Sequence, residues 1–335
     1  MGKNWGFGER SRKISLVVSI FCLGGMPAAP LAFGQQFLSG EATEHTECFQ
    51  AVRADAPGAG SCDRVAVEEL ARSGHAFAEN QLGIESALVL GPQRTIRDAR
   101  KWFEKAARQG YASAQVNLAV LYLNGWGVEK NYGTALYWLK EAAEQGNARA
   151  HTNLGILYMN GQGVTRDYLE AARQFRVAAE HGETGAMVDL GFLSDSGLGM
   201  PQDKAAAAEW YRLAAERGDA LAQNNLADMY LRGEGVAQSD RQAREWFEKA
   251  AVQGNTGARI KLGYLCASGR AGQRDAEKAY AWILAAEMAG DSRGKEYLAP
   301  LERELTAEQL GCAKEKAREL LSRQEQARTE MAFLR

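Results

Sequence analysis

"LYLNGWGV", Leu121 to Val128, sets two glycines two residues apart directly after an apolar run. Backbone amides in a glycine-rich loop before a helix can cradle an anion, so the stretch reads either as a nucleotide loop or as a turn. Recurrence separates the two. "LYMNGQGV" follows at Leu157 to Val164, "MYLRGEGV" at Met229 to Val236 and a worn copy, "LSDSGLGM", at Leu193 to Met200, every start a multiple of 36 residues from the others. A phosphate loop is needed once per site, whereas an architectural turn is needed once per repeat.

Counting outward from the glycine pairs gives six consecutive units without insertion: 75–110, 111–146, 147–182, 183–218, 219–254 and 255–290. Each closes on a glycine, Gly110, Gly146, Gly182, Gly218, Gly254 and Gly290, after a helical segment such as "WLKEAAEQG", where a residue able to take positive φ ends a helix. Asn147, Asp219 and Asn255 then stand where the next helix needs an N-cap, and Glu183 is polar at the same place. A second start signal recurs at the twenty-first place of every unit: Thr95, Asn131, Asp167, Asp203, Ser239 and Asp275. The unit is therefore helix, glycine turn, capped helix, glycine stop.

Leu118, Leu154, Leu190, Leu226 and Leu262, with Leu121, Leu157, Leu193, Met229 and Leu265 three residues on, make one stripe of the first helix. Ala119, Gly155, Gly191, Ala227 and Gly263 beside it, and Ala99, Ala135, Ala171, Ala207, Ala243 and Ala279 on the second helix, let two backbones approach closely. Trp102, Trp138, Trp210, Trp246 and Trp282 recur at the same spacing, which makes them core rather than a ligand box. Together these signals predict an all-α chain, a right-handed α/α solenoid of stacked helix-turn-helix repeats.

The order Ala, Leu-Gly, Tyr, "GxGV", Ala, Trp, Ala-Ala, Gly resembles the Sel-one-like repeat, a relative of the tetratricopeptide repeat. The unit "ASAQVNLAVLYLNGWGVEKNYGTALYWLKEAAEQG" carries nearly all of it. The first unit departs, keeping Leu82, Gly83 and Gly91 but not the first turn glycine, and the sixth has Cys266 in place of Tyr and a shifted Ala285-Ala286. Worn outer copies suit capping repeats. The resemblance implies a non-catalytic interaction scaffold. Some cysteine-rich members are reported to interact with β-lactam compounds, but those carry a cysteine pair in nearly every repeat, and here the first five units have none.

Outside the array, residues 1–34 have the layout of a secretory signal: Lys3, Arg10, Arg12 and Lys13, then "ISLVVSIFCL", then small residues around Ala32 and Gly34. Ten apolar residues fall short of the roughly 20 that span a bilayer, so no integral membrane span is expected once the signal is removed. Cleavage after Gly34 would take four of 40 basic and one of 42 acidic residues, leaving 36 against 41, a formal charge of −5. Neither sign forms a long block, so no nucleic-acid surface is expected. Residues 35–62 read as a loose leader, 63–74 as a half-repeat or N-cap helix, and 291–335 as capping helices with a Thr306/Gln309 capping box and a Leu305/Leu310 staple. The expected product is exported, periplasmic or secreted, and monomeric.

Four cysteines would remain, an even number in an oxidising compartment. Cys48 pairs most simply with Cys62, 13 residues intervening, and Cys266 with Cys312 if the last helix folds back on the sixth unit. No HExxH, GxSxG, paired CxxC or phosphate loop is present, no cofactor or metal is expected, and the lone SxxK, Ser292 to Lys295, has no SDN or KTG partner. The alternative to a scaffold is a periplasmic hydrolase acting on a β-lactam or cell-wall fragment.

Binding residues are expected on the first helices. Asn117, Asn153, Asp189 and Asn225, with Lys261 at the same place, form a ladder that either grips a peptide backbone or bonds neighbouring repeats, and the second reading is favoured. Beside it Val120, Ile156, Phe192, Asp228 and Tyr264 differ in character from unit to unit, which is where partner specificity can reside. With Val116, Val188 and Ile260 the apolar members make an expected track for a protein or peptide partner.

Overall fold

The computed structural model describes residues 64–88 and 94–333. The expected signal and leader, with Cys48, Cys62 and Gly91, lie outside the described residues. The rest is all-α: fifteen helices and one 3-10 turn, with no strand among the described residues. The chain divides into two compact units, one ending at Asp167 and the other beginning at Tyr168.

The first unit holds α1 (Arg64–Arg72), α2 (Ala76–Leu88), α3 (Arg94–Arg108), α4 (Ala112–Asn124), α5 (Tyr132–Glu144) and α6 (Ala148–Asn160), each packed on the next. The second holds α7 (Tyr168–Glu180), α8 (Thr184–Ser196), α9 (Lys204–Glu216), α10 (Ala220–Arg232), α11 (Asp240–Val252), α12 (Thr256–Ser268) and α13 (Ala276–Met288), then Ser292–Gly294, α14 (Lys295–Glu304) and α15 (Ala307–Phe333). Here too successive helices pack together, and α13 takes both α14 and α15.

Caps and glycines set these limits. Asn131, Asn147, Asp203, Asp219, Ser239, Asn255 and Asp275 each accept a hydrogen bond from the amide three residues on, at 2.7–3.2 Å. Glu183 has the same extended backbone without a side-chain cap bond. Thr95 corrects the pattern, since α3 already begins at Arg94 and places it inside the helix. Gly125, Gly161, Gly197, Gly233 and Gly269 close the first helices with φ of 67–72°, a region that costs an L-residue roughly 1–2 kcal/mol.

The second turn glycine answers a further demand. A Cβ on Gly163 would stand 2.6 Å from Tyr132 Cβ, on Gly199 2.4 Å from the Tyr168 carbonyl carbon, and on Gly235 2.1 Å from the Lys204 oxygen. The turn therefore lies on the start of the preceding repeat's second helix, with no room for a side chain. That makes "GxGV" a contact between repeats as well as a bend.

Inside, the leucine stripe and the second-helix alanines are buried as expected. The tryptophans are not: all five are half-buried, while the residue after each, Phe103, Leu139, Tyr211, Phe247 and Ile283, is buried. The helix turns about 100° per residue, so the bulky core position falls one place later than the indole. Small residues oppose those side chains directly. A Cβ on Gly83, Gly191 or Gly263 would come within 2.4–2.6 Å of Phe103, Tyr211 or Ile283.

At the C-terminal end the capping box forms: the Thr306 amide donates to Gln309 Oε1 at 3.0 Å and the Gln309 amide to Thr306 Oγ1 at 3.2 Å. Leu305 and Leu310 pack on the core that Leu298, Leu301 and Ala313 share with α13.

Candidate partner-binding surface

The ladder residues have different fates. In the first unit Asn117 is fully buried and its Nδ2 donates to Asn80 Oδ1 at 3.0 Å, joining adjacent repeats, so it is removed from any binding face. Asn153 is half-buried and donates to the Arg149 carbonyl of its own helix at 2.8 Å. In the second unit Asn225 accepts from Asn224 at 3.2 Å. Lys261 donates to Asn224 Oδ1 at 3.1 Å and to Asp228, with its ammonium 5.4 Å from the Phe247 ring centre.

The apolar track narrows. Val116, Val120, Val188 and Ile260 are all buried and belong to the core, so Val120 leaves the candidate list. Aliphatic side chains at these places lie against neighbouring helices, which periodicity counted from one helix alone did not register. Partly exposed places remain at Asn153 and Ile156 in the first unit and at Asp189, Phe192, Asn225, Asp228 and Tyr264 in the second. These last five come from the successive first helices α8, α10 and α12.

Tyr211 gives this strip its electrostatic character. It occupies a core place that Phe103, Leu139, Phe247 and Ile283 fill elsewhere, and its hydroxyl engages Asn225. Burial first, then the charges of Asp195, Asp189 and Asp228, push its ionisation well above the ordinary tyrosine range. The Asp195 carboxyl is itself pushed up by burial, with Glu234 adding to the rise. Three carboxylates thus bear on one hydroxyl beneath the strip.

A second ladder was missed. At the fifth place of a repeat, Gln115 Nε2 donates to the Ala107 carbonyl at 3.3 Å and Gln223 Nε2 to Ala215 at 3.1 Å, each reaching back to the preceding helix. Gln109, Gln145 and Gln253, from the thirty-fifth place, then donate to Glu79, Gln115 and Gln223 at 2.7–2.9 Å. The recurring glutamines 108 residues apart were the legible signal. In the sixth repeat the fifth place is Arg259, fully buried, donating to Ala251 O at 3.0 Å, Ala285 O at 3.3 Å and Gln324 Oε1 of α15 at 2.8 Å. The thirty-fifth place there is Ala289, so the C-terminal helix supplies the glutamine.

The remaining candidates are not brought together. Cys266 is buried, its thiol ionisation raised by burial, and Cys312 is exposed on α15; both are free thiols, so the expected bridge is not made. Ser292 lies in the 3-10 turn, and the Lys295 ammonium is 3.9 Å from Glu287. Among the described residues no group of three or more His, Cys, Asp or Glu could hold a metal ion, and no helix is long and apolar enough to cross a membrane.

Comparison with known proteins completes this picture. The Sel1 repeat profile matches residues 76–111, 112–147, 148–183, 184–219, 220–255 and 257–291. No curated protein matches the sequence. Among solved structures, a protective antigen of uropathogenic Escherichia coli with an SLR fold is 33% identical, with a TM-score of 0.66 over 87% of this chain. This chain spans 64% of that protein. A Sel1 repeat protein from Oxalobacter formigenes is 32% identical, with a TM-score of 0.62, covering 72% of this chain and 95% of that one.

Proposed function

The chain belongs to the Sel1 repeat family, whose repeats generally serve as protein-interaction scaffolds, and from that premise we propose that it is an exported, non-catalytic adaptor holding a protein or peptide partner on the α8, α10 and α12 strip. The observation that carries the reading is the exposure pattern. Phe192, Asp228 and Tyr264 are partly exposed at one register, Asp228 paired with Lys261, while the leucines beside them are buried. Large aromatic side chains held in place by a rigid helix are the usual anchors of an interface.

Export rests on the basic start and short apolar run of residues 1–34. The protective-antigen relative accords with it. Full-length protein expressed in a bacterial host should yield a periplasmic or secreted species whose intact mass corresponds to loss of about 34 residues; a cytoplasmic, unprocessed product would count against export.

The partner test is a pull-down from envelope extract with mass spectrometry, repeated with Phe192→Ala and Tyr264→Ala. Each substitution should weaken capture, Phe192→Ala by roughly 2 kcal/mol or about thirtyfold. The helical circular-dichroism signal should hold, because both residues are only partly enclosed, Tyr264 lying on the edge of the leucine and alanine core. Normal capture by both variants, with loss on Glu248→Lys in a second helix, would move the binding face to the other side of the repeats.

A further inference from the structure

In three repeats the side chain at the fifth place reaches back eight residues to a carbonyl that also receives the stop glycine of the preceding repeat. Gln115 and Gln223 give Nε2, and Arg259 gives Nε, to Ala107, Ala215 and Ala251. Those carbonyls also accept from the amides of Gly110, Gly218 and Gly254 at 3.0–3.1 Å. One repeat before Ala107 the same register holds. The Ala71 carbonyl, at the buried end of α1, accepts from Gly74 at 3.1 Å, and the residue eight places on is Glu79, only 3% exposed.

The other end of the joint fixes which oxygen faces Ala71. Gln145 and Gln253 donate to Oε1 of Gln115 and Gln223, which leaves each Nε2 for its alanine carbonyl. Gln109 donates in the same way to Glu79 Oε2 at 2.7 Å, so the register assigns the remaining oxygen, Oε1, to Ala71. An ionised carboxylate only accepts, and would set oxygen against oxygen in a buried joint. A protonated carboxyl donates there as the glutamine amides do.

We propose that Glu79 carries a proton while α1 is docked and donates it to the Ala71 carbonyl, so that the joint between α1 and α2 tightens in acid and loosens as pH rises. Burial pushes the Glu79 carboxyl above the ordinary carboxylate range, against the lowering effects of Lys105, of the Gln109 bond and of His75. Lys105 comes from α3 and His75 from the turn before α2. Elsewhere on α3 Lys101 pairs with Asp98 and Arg108 with Glu104; on α1 Glu68 pairs with Arg72 at 3.2 Å and Glu69 is exposed; α4 carries no charged residue. A carboxyl raised on folding stabilises the native state below its unfolded value, about 4, and that contribution is lost as pH rises through the folded value. The face that α1 covers is apolar, with Val67, Leu70 and Ala71 against Ala78, Leu82 and Trp102, so loosening uncovers the first end of the array.

The test is hydrogen exchange of the full chain between pH 4.5 and 7.5, corrected for the intrinsic pH dependence of exchange and read in α1 against α5. His75→Asn serves as background, to take the neighbouring imidazole out of the titration while keeping a residue that caps a helix. Protection of α1 should fall about threefold or more across the range while α5 stays level. Glu79→Gln, a permanent donor, should hold the pH 4.5 level throughout, and Glu79→Leu, which donates nothing, should leave α1 less protected than Glu79→Gln at every pH. Level α1 protection with Glu79 in place, a fall that persists in Glu79→Gln, or equal protection in the Gln and Leu variants would overturn the proposal, the last by showing that removal of a buried charge suffices without the bond to Ala71.

Discussion

Glycine in this chain is needed for two separable reasons. Gly218 has φ of 91° with open space around it, Gly233 has φ of 68° with Gln238 Cβ 3.1 Å from an added Cβ, and Gly235 has φ of 71° with a backbone oxygen 2.1 Å away. Alanine at these three positions should therefore destabilise in that order. Gly218→Ala should cost about 1 kcal/mol for its dihedral alone, and Gly235→Ala distinctly more, because backbone cannot swing aside as a side chain can. Urea midpoints of the three variants check the ranking; equal midpoints would mean that dihedral strain is the sole demand. Asp291 offers a pH test at the same scale. Arg293, and then Thr256, hold its carboxyl down to about 2 against the opposing effect of burial. A carboxyl depressed on folding stabilises the native state above its unfolded value, near 4, and that contribution disappears as pH falls through 2. Asp291→Asn should flatten the acid limb of a thermal-melt series between pH 4 and 2.

For the elements, sequence reading and structure part company where packing between helices decides. Helix limits were legible because caps and stops are local: a side-chain oxygen within three residues of an amide, a glycine with positive φ. The identity of the core residue on the second helix was not. Trp246 and Phe247 are both large and apolar, and only the approach of the neighbouring helix determines which one is enclosed. The candidate strip shows the same limit, since Val120 and Tyr264 occupy one register yet only the valine is buried. The Arg259–Gln324 bond joins residues 65 apart, a separation that no repeat period contains. Gln324→Ala removes one acceptor from a fully buried guanidinium, and should destabilise by roughly 1–3 kcal/mol. Hydrogen exchange should accelerate in α12, α13 and α15 ahead of α8, and uniform acceleration would contradict a local latch.

Across the whole molecule, family and fold follow from recurrence, whereas partner chemistry does not. Sequence repetition shows what the units share, and that is architecture; the partner-binding role proposed above rests on what they do not share, such as Phe192, Asp228 and Lys261 at related places. The latch at the C-terminal end also constrains how such a chain can evolve. A duplicated 36-residue unit inserted among the middle repeats brings its own glycine turn and helix stop, and its new junction joins ends that the repeat period already matches. Insertion after Gly290 would carry α15 away from Arg259, because that helix is fitted to one particular last repeat. Lengthening of this gene is therefore expected to proceed by internal duplication, with the sixth repeat and its trailing helix inherited as a single, indivisible piece.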